Sequence, residues 1–505
     1  MKERIYPTLA EFKKLAKKGN LIPVGLDMMA DRFTPVSLLA SQWKKNSHCF
    51  LLESVEGGEN VGRYSIVSFE PSLILEEKDG GTEFKTPKGQ LKKRIKTSAL
   101  NSLKNYLKQT KPVQVPGMPR FFGGAVGYCS YETIHELERL PKTNPDNLKW
   151  PNSLFFLTGD LFVFDNTQQI LKILTCVRIK NKRDISKAYR RAKNKIKANL
   201  ALLRQVTKTP ETSHRKKKGG KVHEFVSNVN QKQFAEGVEK AKDHIRKGDI
   251  IQVVLSRRND KKTPADPLDI YRALRVVNPS PYMYLIKMKN RAIIGSSPES
   301  LVRLEEGEAM TRPIAGTRPR GSTPYQDMKM EKDLLRDPKE NAEHIMLVDL
   351  GRNDLGRVCQ YGSIRLPKFM IIERYSHVMH IVSEVTGKMN EGKGCFDLLK
   401  AVFPAGTVSG APKIRAMEII DELENEQRGP YAGAVGYISF SGNMDMAITI
   451  RTILWENNKV SIQTGAGIVA DSHPVREFDE TENKAAGLKE TIRLAEDREL
   501  FWERS

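Results

Sequence analysis

YAGAVGYISFSGNMDMAITIRTILWENNKVSIQTGAGIV, residues 431–469, reads as strand, turn, strand, turn, strand. Apolar residues alternate through 431–440, 446–455 and 460–469, the period of a strand with one face buried. Ser441-Gly442-Asn443 and Asn457-Asn458 separate the runs, and Gly and Asn tolerate the backbone that tight hairpins need. Strands joined this closely pair antiparallel.

The same alternation recurs outward from this meander. Residues 250–257, 282–288, 291–295, 301–305 and 376–386 read as strands; 230–247, 268–277, 395–402 and 412–424 carry helical spacing. In the first half, two short amphipathic helices within residues 1–45 flank a β-like LIPVGLDM. Residues 49–71 form two strands turning through Gly57-Gly58, and 72–77 and 153–178 are strand-like. Residues 99–108, 131–140 and 184–206 are helical. The polar run KTPETSHRKKKGGK, 208–221, is the best linker, dividing an N-terminal domain, 1–207, from a second, 222–505. GAVGY occurs at 124–128 and at 433–437, an echo that suits two related sheets packed together. Hairpin-joined strands with helices gathered apart imply an α+β fold of two packed, mainly antiparallel sheets with helices outside.

A chain of 505 residues can build a large core, as two domains or one intertwined double domain. The balance of 39% hydrophobic and 29% charged residues is that of a soluble globular protein. A net charge of +22 raises the question of nucleic acid, but the densest basic runs, 88–96, 181–197 and 215–221, contain only Tyr189 as a stacking side chain. They read as solvated faces and a linker, leaving no nucleic-acid partner expected, though anionic substrates are drawn in. The cysteines at 49, 129, 176, 359 and 395 have no CxxC spacing, which suits reduced thiols in a cytosol. None lies in the G-x-C-x-G turn of a glutaminase nucleophile. MKERIYPTLAEFKK lacks the apolar core of a signal peptide, and no run is long enough to span a bilayer, so a cytoplasmic location is expected.

The chemistry concentrates in a few stretches. In LRDPKENAEHIMLVDLGRNDLGR, 335–357, Asp337 can cap a helix, Pro338 fits its first position, and Glu340 falls where a capping-box acid reaches back. Glu343 shares a stripe with Leu347 and Leu350, so its carboxylate is protonated, paired or metal-bound, unless only its stem is covered. Three glycine-bearing loops stand out, PIAGTRPRG (313–321), PAGTVSGAPK (404–413) and QTGAGIVADS (463–472); together they suggest an anion site built from backbone N–H groups. Arg451 lies in an apolar strand, MDMAITIRTIL, and faces either a pocket holding an acid or a salt bridge at the sheet edge. His380, on the opposite strand face from His377, suits proton transfer or a structural role. In FDETENKAAG, 478–487, Glu480, Asn483, Lys484 and Gly487 share one side of a helix. Glu343 and Glu480, with a substrate acid group, suit magnesium rather than zinc.

These segments, with LLESVEGGENVGRYSIV (51–67), GDIIQVVLSRR (248–258), NPSPYMYL (278–285), SSPESLVR (296–303), RYSHVMHIVSEV (374–385) and RGPYAGAVGY (428–437), stand in the order found in the large, chorismate-binding subunit of anthranilate synthase. The chain resembles that family over nearly its whole length. The resemblance implies that ammonia adds to chorismate at C2 as the C4 hydroxyl departs, and that pyruvate is then eliminated to leave anthranilate, the first committed step of tryptophan biosynthesis. It implies that Glu343 and Glu480 hold Mg²⁺, and that Gly316, Thr317, Tyr431, Arg451, Gly465, Ala466, Gly467 and Lys484 hold the substrate. By the same resemblance Glu299 assists the leaving hydroxyl, His380 serves the elimination, and Thr407 lies beside them. Isochorismate and salicylate synthases carry a lysine where this chain has Gln252, and aminodeoxychorismate synthases one where it has Ala315; both lysines are missing, which points to free ammonia and to anthranilate. A separate glutamine amidotransferase subunit, component II, is then expected in a heterotetramer. Glu53, Ser54, Pro281, Tyr282 and Met283 match the family's L-tryptophan feedback site, with Ala447 where some relatives have a larger residue.

Overall fold

The computed structural model describes residues 5–54, 62–78, 80–206, 223–375 and 378–497. The 208–221 linker, the Gly57-Gly58 turn and His377 lie outside them. Two sheets, of 13 and 12 strands, form the body, and their ladders are antiparallel throughout.

The strand period decides what each face buries. Along Tyr282–Met288 of the larger sheet, Tyr284, Ile286 and Met288 join Phe50 and Leu161 against Val126, Phe156 and Tyr437 of the smaller sheet. Met283 and Leu285 point the other way, under the helices Leu9–Leu15, Pro35–Trp43, Ile185–Val206, Pro267–Val277 and Pro474–Glu496. Ala99–Lys108, Pro338–Gly356, Cys395–Val402 and Lys413–Leu423 contribute to a further buried cluster with the smaller sheet. The result is a two-sheet sandwich with helices on its outer faces, the α+β arrangement expected.

Both halves of the chain build both sheets. His48–Glu53 pairs with Tyr282–Met288 in one sheet, and Gly124–Cys129 pairs with Ala434–Ser439 in the other. The two GAVGY copies are neighbours in a single sheet rather than members of two. Val126 faces Tyr437, Gly127 faces Gly436 and Tyr128 faces Val435, so the echo straddles a local twofold axis.

Several elements differ from the sequence reading. The strand expected over 446–455 is two strands, Met444–Ile448 in the smaller sheet and Thr452–Glu456 in the larger. The chain crosses between sheets at 449–451, where Arg451 takes a positive φ of 49°. Both pieces keep the same alternation, so periodicity shows no break. The glycine loop 313–321 contains a strand, Ile314–Pro319, and Gly465 and Gly467 of the loop 463–472 lie in Lys459–Ile468, the strand read over 460–469; glycine in a strand can mark close approach of another group rather than a turn. The helix Pro324–Arg336 and the strand Arg365–Arg374 have no counterpart in the expected elements. Asp337 caps Pro338–Gly356 through the N–H groups of Lys339 (3.0 Å) and Glu340 (3.2 Å), but Glu340 does not reach back; its carboxyl turns to Arg318 at 3.5 Å.

Candidate active site

A cavity of about 530 Å³ gathers residues from widely separated parts of the fold. Glu340, Glu343 and Leu347 come from Pro338–Gly356, and Glu477, Glu480 and Lys484 from Pro474–Glu496. The strands Lys459–Ile468 and Ile314–Pro319 supply Gly465, Gly467, Gly316 and Thr317; Val378–Lys388 supplies His380. Glu299, Thr407, Tyr431 and Arg451 complete the wall. Of the residues expected to hold substrate, metal or protons, only Ala466 is off it, its methyl buried in the core by the strand's alternation. Glu340 and Glu477 line the cavity although the sequence reading gave neither a role in it; their signal was a position one helical turn before Glu343 and Glu480.

Glu299 is open to the cleft in part, but its surroundings withhold water from the carboxyl. Burial pushes its pKa up to about 8, against the opposing hydrogen bond from Thr407 Oγ1 to its Oε1 (2.9 Å) and the charge of Lys484. At neutral pH it therefore carries a proton to give. His380 is the complement. Burial, countered by the Gly316 carbonyl and reinforced by the Arg451 charge, lowers its pKa, so the ring is neutral. Nδ1 lies 3.0 Å from both the Gly316 carbonyl and Thr317 Oγ1. A carbonyl can only accept, so Nδ1 holds the hydrogen and Nε2 keeps its lone pair.

Arg451 settles its two readings in favour of the cleft: Nη1 donates to the Lys484 carbonyl at 3.1 Å, and burial lowers its pKa. Lys484 Nζ in turn donates to the Gly465 carbonyl at 3.0 Å and pairs with Glu480 at 2.6 Å. The glycines are dictated by what faces them. A Cβ on Gly465 would stand 2.7 Å from Tyr431 Oη, and one on Gly467 2.6 Å from Gln252 Nε2. The cleft thus presents a proton donor, a neutral base, three basic side chains (Lys339, Arg451 and Lys484) and a group of carboxylates within one cavity.

Residues 47–490 match the family model described as chorismate binding enzyme. The chain belongs to the chorismate-binding enzyme family. It is 47% identical to anthranilate synthase component 1 of Acetivibrio thermocellus, over 97% of this chain and 99% of that one. It is 46% identical to that of Aquifex aeolicus, over 97% and 98%. The solved structure of anthranilate synthase component I from Streptococcus pneumoniae superimposes with a TM-score of 0.74 at 36% identity, covering 86% of this chain and 95% of that one. The menaquinone-specific isochorismate synthase of Escherichia coli shares the fold, with a TM-score of 0.68 at 18% identity over 96% and 98%.

In this chorismate-binding enzyme the four carboxyl groups that the two helices bring to the cleft wall, besides Glu299, offer oxygens to a metal. Burial and then the Glu343 charge push the pKa of Glu340 up. Burial does the same to Glu477, opposed by a hydrogen bond from Ser472 and aided by the Glu480 charge. A divalent cation relieves such repulsion, and donors that are all oxygen suit Mg²⁺. Glu480 is 46% exposed, so its pair with Lys484 is worth at most about 1 kcal/mol and holds it only weakly. Among the described residues no three of His, Cys, Asp and Glu converge to hold an ion alone. An ion here takes further oxygens from water or substrate. The residues fit the cation as a bridge to a carboxylate ligand.

A second, smaller cavity of about 70 Å³ is lined by Glu53, Ser54, Pro281, Tyr282 and Met283, the residues expected at the feedback site, and by Asp445 and Ala447. Glu53 is committed to the helix behind it, accepting from Tyr271 Oη (2.6 Å) and pairing with Arg275 (3.1 Å); burial pushes its pKa up, against Arg275 and Tyr271. Ser54 Oγ is buried with no hydrogen-bond partner among the described residues. A buried hydroxyl without a partner is costly and calls for a water or a polar ligand.

No helix among the described residues is long and apolar enough to cross a membrane.

Proposed function

We propose that the chain is the chorismate-converting subunit of a Mg²⁺-dependent anthranilate synthase, producing anthranilate, pyruvate and water from chorismate and ammonia. The observation that carries this reading is a raised carboxyl at Glu299 and a neutral imidazole at His380 facing one cavity with Arg451 and the paired acids.

Arg451 and Lys484 receive the substrate's carboxylates. Glu299 delivers its proton to the C4 hydroxyl, which leaves as water while ammonia bonds to C2. The ammonium formed at C2 returns a proton to Glu299; Nε2 of His380 takes the C2 proton as the C3–O bond breaks and delivers it to the enolpyruvyl methylene, completing pyruvate as the ring becomes aromatic. A bound Mg²⁺, held by Glu343 and Glu480, supplies charge stabilisation at the ring carboxylate. Gln252, whose Nε2 donates to Glu343 at 3.4 Å, and Ala315 both line the cleft, and neither can activate water or act as an amine nucleophile. That favours ammonia from outside the chain, delivered by a separate glutamine amidotransferase subunit in a heterotetramer. The smaller cavity, with its unpaired Ser54 hydroxyl, is the site for L-tryptophan as feedback inhibitor.

Product analysis tests the reading. Chorismate, Mg²⁺ and an ammonium salt should yield fluorescent ortho-aminobenzoate and equimolar pyruvate. Isochorismate, or a para-substituted amine, would refute it.

A further inference from the structure

Arg428 lies behind the cleft wall and does not line the cavity itself, yet it is 1% exposed, its guanidinium lies 5.7 Å from the centre of the Tyr431 ring, and it is fully engaged. Its guanidinium grips Glu424 through Nε (2.9 Å) and Nη2 (2.6 Å), and donates to the Val408 carbonyl from Nη1 (2.7 Å) and the Val254 carbonyl from Nη2 (2.7 Å). Glu424 also accepts from Ser256 N (2.8 Å) and Oγ (2.9 Å), and the Arg428 N–H donates to Glu132 (2.8 Å). A buried ion pair is by itself weak evidence of stabilisation, since desolvation offsets much of the attraction. What distinguishes this one is where its hydrogen bonds end.

Val254 belongs to the strand Gln252–Lys262, and Val408 closes the short turn Gly406–Val408 that carries Thr407. Just beyond the turn the chain is already held to that strand, by the strand's pairing with Gly410 and Ala411 and by Val254 N–H donating to the Ser409 carbonyl at 2.9 Å. The guanidinium fork adds a further tie. Thr407 in turn donates to Glu299 at 2.9 Å. The other ties hold the chain from Ser409 onward; the fork holds Val408, the residue next to Thr407.

We propose that Arg428 is a positioning residue for the catalytic acid, fixing the turn that carries Thr407 and, through that hydroxyl, the carboxyl of Glu299. This rests on Glu299 acting as an acid but not on the identity of the amine product, so chorismate consumption is the quantity followed. The Thr407 bond opposes the burial that raises Glu299, so loosening it lets the carboxyl rise further. Arg428→Lys should lower kcat by ten- to a hundredfold and move the alkaline limb of its pH profile upward, in the same sense as Thr407→Val. The double variant should lose little beyond the worse single one. An unchanged limb in folded Arg428→Lys enzyme, or fold-losses that multiply, would overturn the proposal. Where Arg428→Lys does not fold, Glu424→Gln loosens the same fork and should shift the limb in the same direction; a stationary limb would then overturn it.

Discussion

Glu299 shows how one residue's chemistry depends on distant chain. Its proton is retained at neutral pH because of burial, and its orientation comes from Thr407, more than a hundred positions away. Activity needs the protonated form, so kcat is expected to be level from neutral pH to just below about pH 8 and to fall as pH rises through it. Glu299→Gln should cost about 10²- to 10⁴-fold in kcat, the usual worth of a general acid, and abolish that limb; a limb that survives would assign it elsewhere. The same shift acts on stability. A carboxyl raised in the folded state but ordinary when unfolded makes folding progressively less favourable between its unfolded pKa, near 4.3, and its folded value. Glu299→Gln should therefore raise the melting temperature more at pH 8 than at pH 5. Equal shifts would contradict the burial of a neutral acid.

Elements placed these side chains, and they were legible to different degrees. The strand Tyr282–Met288 and the helices Ala99–Lys108 and Cys395–Val402 match the expected bounds, because period and end signals agree there. The stripe that singled out Glu343 also held, with Leu347 beside it on the cleft wall. The crossover at 449–451 left no mark, since apolar alternation continues on both sides and only the backbone reverses. Glu340 was absorbed by a plausible cap, as local signals cannot report that Arg318 arrives from another strand. Arg451 offers a test at this scale. Its left-handed backbone costs a side-chain-bearing residue about 1 kcal/mol, which glycine does not incur. Arg451→Gly should keep or gain thermal stability while raising KM for chorismate at least tenfold; a destabilised protein with normal KM would show that the guanidinium is structural.

At the scale of the molecule, both sheets are completed by strands from both chain halves, so neither half can close its sheets alone. Cutting the chain between 207 and 222 should leave the pieces associated, whereas either expressed alone should aggregate through its open strand edges. A soluble, monomeric 222–505 fragment would contradict this. Backbone of both sheets connects the two cavities. Tyr282 of the smaller one is paired with Ser297, and Ala447 with Ser300, while the Ile448 N–H donates to the Glu299 carbonyl at 3.0 Å. A ligand beside Tyr282 and Ala447 thus bears on the backbone that seats the acid, and can inhibit only by favouring an arrangement that binds chorismate less well. Ser54→Ala should weaken inhibition by tryptophan while leaving uninhibited kcat near normal; unchanged inhibition would refute that site.

What joins the two distant helices is the cation their carboxylates are proposed to share with the substrate. Equilibrium binding of chorismate to Glu299→Gln enzyme without ammonia, where the slowed variant leaves its ligand intact, reads this directly. Tight binding that requires Mg²⁺, and that is lost on adding either Glu343→Gln or Glu480→Gln, is the result expected. Binding of equal strength without the metal, or indifferent to both substitutions, would contradict the shared site.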